Sequence, residues 1–224
     1  MEEKIKQKNK HRPFHYYDGQ FYFVSGTCYK GGSMFLTNER KKIIKIKLGE
    51  IADEMNIFIY AWVILNNHYH ILFNLNNHKE ENFKEDEDGV THASVSGDIS
   101  NAQDTLACVT PYQQSYSKQK LANFIKRFHS ITSKNLNELD KISGRKVWHQ
   151  YWDYCVRNKV DFWKHFNYIL KNPLKHKLAN NIEESFNYKF SSNLIWLERF
   201  GFDGLIEGLL KYKVKEVWYD DEDE

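Results

Sequence analysis

Two histidines one residue apart, His68 and His70, interrupt an otherwise apolar run, Ala61-Trp-Val-Ile-Leu-Asn-Asn-His-Tyr-His-Ile-Leu-Phe73. Side chains of a strand alternate between its faces, so residues i and i+2 project from the same side. Two adjacent imidazoles on a buried face are costly unless hydrogen-bonded. Set at the edge of a cleft, they are two ready ligands for one divalent cation. A working metal site needs a third protein group and open positions for substrate. Tyr168 and Asn172 lie four apart, a spacing that puts a phenol and an amide on one helix face. The amide oxygen is a candidate third ligand and the phenol a candidate nucleophile. A phenol with a free pKa of about 10 attacks well only when activated or offered a polarised electrophile. The plain alternatives are a hydrogen-bonded histidine pair at a strand start, and a core aromatic among Phe162, Phe166 and Ile169.

Whether these groups meet depends on the elements that carry them. Phe21 to Tyr29 is rich in strand formers and ends at Gly31-Gly32, which predicts a strand and a loop. From Thr37, a plausible N-cap, Ile43, Ile44, Leu48, Ile51, Ala52 and Met55 recur at helical spacing. Ile57 to Leu65 and His68 to Leu75 read as two strands joined by the turn Asn66-Asn67, a hairpin. Leu121, Phe124, Ile125, Phe128 and Ile131 share a helical face, and Val147 to Val156 reads as a fourth strand. A further helix is predicted from Lys159 to Lys171, with Pro173 near its end. Pro173 disfavours helical torsions at the residue before it, which sets Asn172 at a helix end. The order strand, helix, strand, strand, helix, strand predicts an α+β, ferredoxin-like split βαβ fold. Its antiparallel sheet carries helices on one face, with the helix of Tyr168 and an extension following.

Length and composition fit that plan. The 224 residues suit one domain with trimmings, and 41% hydrophobic residues suffice for a core. A mean hydropathy of -0.70, with no apolar run near membrane-spanning length, argues against a transmembrane helix. The charged N-terminus has no apolar core of a secretory signal, and three scattered cysteines form no zinc pattern, so a cytoplasmic location is expected. Residues 1–18 read as a basic lead-in, 19–193 as the domain, and 194–224 as an extension with an acidic tail. Residues 76–118, with eight acids against three bases, read as a flexible insertion within the domain. The net charge of +2 conceals -5 in the insertion and -5 in the tail, leaving about +12 on the rest. That surplus favours a polyanionic partner. Lys126, Arg127, Arg157, Lys171 and Lys175 are candidate phosphate contacts. His129 and His149 read as packing or surface histidines. Trp148, Tyr151, Trp152 and Tyr154 read as core, with a face available for stacking bases.

The run Trp62 to Phe73 resembles the His-hydrophobic-His (HUH) motif of single-tyrosine transposases. Tyr168-Ile-Leu-Lys-Asn172-Pro173-Leu-Lys-His resembles the tyrosine helix of their REP-associated branch. Val147 to Asn158 and Phe190-Ser191-Ser192 are similar to further segments of that family, in the same order. Together the similarity covers roughly residues 20–75 and 120–193. Tyr69 stands where a smaller aliphatic residue is usual, and the 76–118 insertion has no counterpart in the short members.

The resemblance implies a transposase and endonuclease that cuts and rejoins hairpin-bearing single-stranded DNA. His68, His70 and Asn172 would bind a divalent metal, Mg or Mn, and Tyr168 would form a 5′-phosphotyrosine. Both monomers and homodimers are compatible with it. Two rivals stand beside this expectation: a non-catalytic module holding single strands on a ferredoxin-like sheet, and a metal-dependent hydrolase in which water attacks.

Overall fold

The computed structural model describes residues 21–75 and 111–214. The basic lead-in, most of the insertion and the acidic tail read from the sequence lie outside the described residues. The elements in chain order are β1 (Phe21–Cys28), α1 (Asn38–Glu54), β2 (Phe58–Ile64), β3 (His68–Asn74), α2 (Pro111–Leu139), β4 (Trp148–Cys155), α3 (Lys159–Lys175), α4 (Ile182–Phe186) and α5 (Asn193–Lys211).

The four strands form one antiparallel sheet in the order β2-β3-β1-β4. Each β-α-β half thus straddles a strand of the other, the interleaving of the ferredoxin-like plan. Strands β1 and β3 are central and covered on both faces, so their apolar runs are nearly continuous and β3 is buried throughout. Tyr22 and Val24 of β1 join Tyr69, Ile71 and Phe73 of β3 beneath α1 and α2. Phe21, Phe23 and Leu72 point the other way, into a second core with Phe162, Phe166 and Ile169 of α3, Phe186 of α4, and Trp196 and Leu205 of α5. Helices α1 and α2 therefore share one face as expected, and the C-terminal helices cover the opposite one.

Local chemistry sets the boundaries. Thr37 caps α1 by accepting from the Arg40 N–H at 3.4 Å. Helix α2 opens at Pro111, a residue suited to a first helical turn, so 111–118 belong to this helix and not to the insertion. The N-cap of α3 is Asn158, whose side chain accepts from the Asp161 N–H at 2.9 Å. Asn172 is not at the end of α3: the helix runs through Pro173 to Lys175. Proline withholds one N–H from the preceding turn. Polar side chains fill in close by, where Ser185 Oγ and Asn193 Nδ2 donate to Leu170 O at 2.7 and 3.0 Å. The stretch Phe190–Ser192 runs along the outer edge of β2. Ile64 N donates to Phe190 O and Ser192 N to Trp62 O, which covers an otherwise open sheet edge.

One packing detail belongs to β3. Tyr69 pairs across the ladder with Gly26 of β1, and a Cβ at residue 26 would lie 2.4 Å from the Tyr69 ring. Glycine is there because the phenol ring occupies the space a side chain would need. Tyr69 Oη sits 2.8 Å from His129 Nε2. The His129 ring stacks on Trp148 at 4.5 Å, and Trp148 Nε1 donates to Thr132 Oγ1. A register shift at Gly26/Cys28 lets Trp148 and Tyr151 share this face, while Trp152 and Tyr154 lie on the other.

Candidate functional site

Because β3 alternates, His68 and His70 face α3 while Tyr69 between them faces α2. The His70 ring stacks on Phe23 at 5.4 Å and meets the Tyr168 ring edge-on at 5.1 Å. The His68 ring lies 4.9 Å from that of His70. His68 Nδ1–H donates to Asn67 Oδ1 at 2.7 Å, which leaves the lone pair on Nε2. The sequence-predicted phenol and imidazoles, remote in the chain, are thus in contact within one copy of it.

Asn172 completes the group by helical geometry. One turn before it, Tyr168 touches His70; one turn after it, His176 brings its ring to 4.6 Å from His68. The Asn172 side chain lies between these two contacts, on the face turned to β3. It is fully buried, and neither Oδ1 nor Nδ2 has a hydrogen-bond partner among the described residues. Such an amide costs about 1–3 kcal/mol, and it marks a place where a partner is missing. An unpartnered amide oxygen on the helix face that meets the imidazole pair has the chemistry of a cation ligand. Among the described residues, no three His, Cys, Asp or Glu side chains form a ready metal cage. His68, His70, Tyr168 and Asn172 are nearly closed from solvent, with Tyr168 3% and His68 5% exposed.

The candidate phosphate contacts separate. Lys175 is exposed, with Nζ 5.5 Å from the centre of the Tyr168 ring, and Lys171 is exposed on the same helix. The Arg157 guanidinium is largely solvent-exposed, but its Nε donates to Asp161 Oδ2 at 3.1 Å. Burial raises the Asp161 carboxyl, yet hydrogen bonds from Arg157 outweigh it and hold the group below its ordinary value. Tyr154 Oη also donates to Asp161, at 2.8 Å, so this cluster anchors the start of α3. Lys126 and Arg127 are exposed on α2, which packs on the sheet face away from the histidine pair, and Arg127 pairs with Glu54.

His165 is fully buried between Phe23 and Tyr154, and burial lowers its pKa. Its Nδ1–H donates to Asp161 O at 2.7 Å. His176, whose ring lies 4.6 Å from that of His68, is a neighbour of the group that sequence reasoning missed. The four-residue stride that linked Tyr168 to Asn172 reaches His176 with one more step, so the signal was present.

No family model matches the chain, and no curated protein matches it significantly. Among solved structures, it is similar to a REP-associated tyrosine transposase bound to a REP hairpin. The two superpose with a TM-score of 0.49 at 16% identity, over 81% of each chain. This is a distant structural relationship and no more. None of the described helices is long and apolar enough to cross a membrane.

Proposed function

We propose that the protein cuts and rejoins hairpin-bearing single-stranded DNA through Tyr168. What carries the reading is the meeting of Tyr168 with His70 and His68 around the buried, unpartnered amide of Asn172. A divalent ion, Mg or Mn, held by His68, His70 and Asn172 would withdraw charge from a phosphate oxygen and make phosphorus more open to attack. Tyr168 Oη passes its proton to water, which can return one to the leaving oxygen, and bonds to phosphorus. The bond from phosphorus to the 3′-oxygen breaks, and that oxygen takes up a proton as a free 3′-hydroxyl. The product is a 5′-phosphotyrosine, and the reverse reaction on another 3′-hydroxyl rejoins the strand. Lys175, above the Tyr168 ring, is placed to stabilise phenolate or phosphate charge. Asn67 Oδ1 accepts from His68 Nδ1–H, which fixes the orientation of that ring. Arg157 and Lys171 lie outside the enclosed group, where they suit contacts along the strand.

The near-complete burial of Tyr168 favours one second reading, a module that binds single strands without chemistry. Incubating end-labelled hairpin-bearing single-stranded DNA with the protein and Mn2+ separates them. A covalent protein–DNA adduct in the wild type that is lost in Tyr168→Phe supports transesterification. An adduct that persists in Tyr168→Phe overturns Tyr168 as nucleophile. Strand binding that ignores chelator and His68→Ala, with no adduct, supports the binding module. Metal-dependent cleavage without adduct assigns the attack to water.

A further inference from the structure

We propose that Lys41, Lys45 and Lys189 form a site for backbone phosphates of DNA along the outer edge of β2. The inference rests on the reading above that the protein handles DNA strands, and it names where a strand is gripped beyond the histidine pair. Lys41 projects from α1 and is only 5% exposed. Its Nζ donates to Asn66 Oδ1 at 2.8 Å and to Tyr188 Oη at 3.0 Å. Both acceptors are neutral, and among the described residues no carboxylate pairs with this ammonium. An ammonium has three donors, and these two bonds use two of them. A buried charge is costly unless an opposite charge offsets it. The neighbouring charge here has the same sign: burial first, and then Lys189, lowers the Lys41 pKa.

The other two lysines lie along the same strip. Lys189 and Lys41 place Nζ 5.3 and 5.5 Å from the centre of the Phe190 ring. Lys41 Nζ is also 5.6 Å from the centre of the Tyr188 ring, and Lys45, one turn further along α1, is 5.5 Å from that of Trp62. Lys45 and Lys189 are exposed, and neither pairs with a carboxylate among the described residues. Ring faces soften a positive charge without cancelling it. Three ammoniums thus share one edge to which the described chain brings no anion of its own. Phosphate suits them, since lysine meets it as a compact point charge and aromatic rings accept the bases between phosphates. The positive surplus of the chain outside its acidic segments favours the same polyanion. Asn66, held by Lys41, lies two residues before His68, at most about 7 Å along the chain. A strand with one phosphate at the histidine pair would therefore have its neighbours within reach of the lysines.

Fluorescence anisotropy of labelled hairpin-bearing single-stranded DNA, titrated with the full chain in EDTA over a series of KCl concentrations, tests this. The double variant Lys45→Gln with Lys189→Gln changes only exposed side chains. It is expected to bind more weakly, with the slope of log K against log salt shallower by about 0.7–0.9 for each lysine removed. Lys41→Met keeps the stem without the charge, and is expected to lose a similar increment of slope at an unchanged or higher Tm. Lys47, which pairs with Glu50 at 2.7 Å, supplies the control, and Lys47→Gln should keep the wild-type slope. A wild-type slope in the double variant overturns the site and leaves the Tyr168 chemistry standing. An equal loss of slope in Lys47→Gln reduces the effect to net charge and overturns the site as well. A lower Tm with the wild-type slope in Lys41→Met makes that lysine a strut for the Asn66 turn and overturns its place in the site. A wild type that does not bind the DNA overturns this inference together with the function it rests on.

Discussion

Asn172 is the residue where stability and the proposed chemistry pull apart. Its amide is buried with no hydrogen-bond partner among the described residues, a standing cost of folding. Asn172→Leu keeps the branching at Cγ and removes the polar atoms. It is expected to raise stability by about 1 kcal/mol, read as an increase in the urea midpoint, while abolishing adduct formation. Equal or lower stability would mean that the amide has a partner the fold depends on. Gly26 presents the opposite case, where space alone decides. A methyl at residue 26 meets the Tyr69 ring at 2.4 Å, so Gly26→Ala is expected to cost about 1–3 kcal/mol by overpacking. In a Tyr69→Leu background the same change should cost much less. A double-mutant cycle measures the difference, and simple additivity would refute the clash.

Helix α3 carries Tyr168, Asn172 and His176, and its start is fixed by Asn158, Arg157, Tyr154 and Asp161. Asn158→Ala removes the cap and is expected to cost about 1 kcal/mol, visible as a fall in Tm of about 2–4 °C for a domain of this size. Adduct formation should slow as well, because the phenol is positioned by the helix that the cap secures; an unchanged Tm would sink the capping role. The elements themselves were largely readable. Thr37 as a cap, the Asn66-Asn67 turn and the alternation of β3 all sit in local sequence, and each is as expected. What local sequence misjudged was α3 past Pro173. The rule that proline ends helices concerns the backbone alone, whereas here tertiary packing and donors from Ser185 and Asn193 support the last turn. The meeting of Tyr168 with the histidines was implied only by the family resemblance, since nothing near either motif specifies the other. The remoteness of Lys126 and Arg127 from the site had the same cause: charge is visible in sequence, but the sheet face it falls on is not.

Across the whole molecule, two histidines are held neutral by burial, His129 in the α2-side core and His165 in the α3-side core. Burial pushes His129 from its ordinary 6.5 down to about 3, and His165 down as well. Between those pH values the unfolded chain binds a proton at residue 129 that the folded chain refuses. Stability therefore falls as pH drops below about 6.5, by about 1.4 kcal/mol per unit for one such group, and His165 adds to the same trend. Urea unfolding at pH 7, 6 and 5 reads this slope. His129→Gln keeps an acceptor for the Tyr69 phenol but does not titrate, so its slope should be shallower, and an identical slope would exclude His129 as a source. The two cores lie on opposite faces of the sheet, and β3 serves both by turning alternate residues to each. A lineage that lost the work of one side would keep the architecture secured by the other. Substitutions at His68 or His70 need not disturb what Tyr69, Ile71 and Phe73 hold together, so chains altered there would persist as well-folded proteins rather than be cleared as misfolded ones.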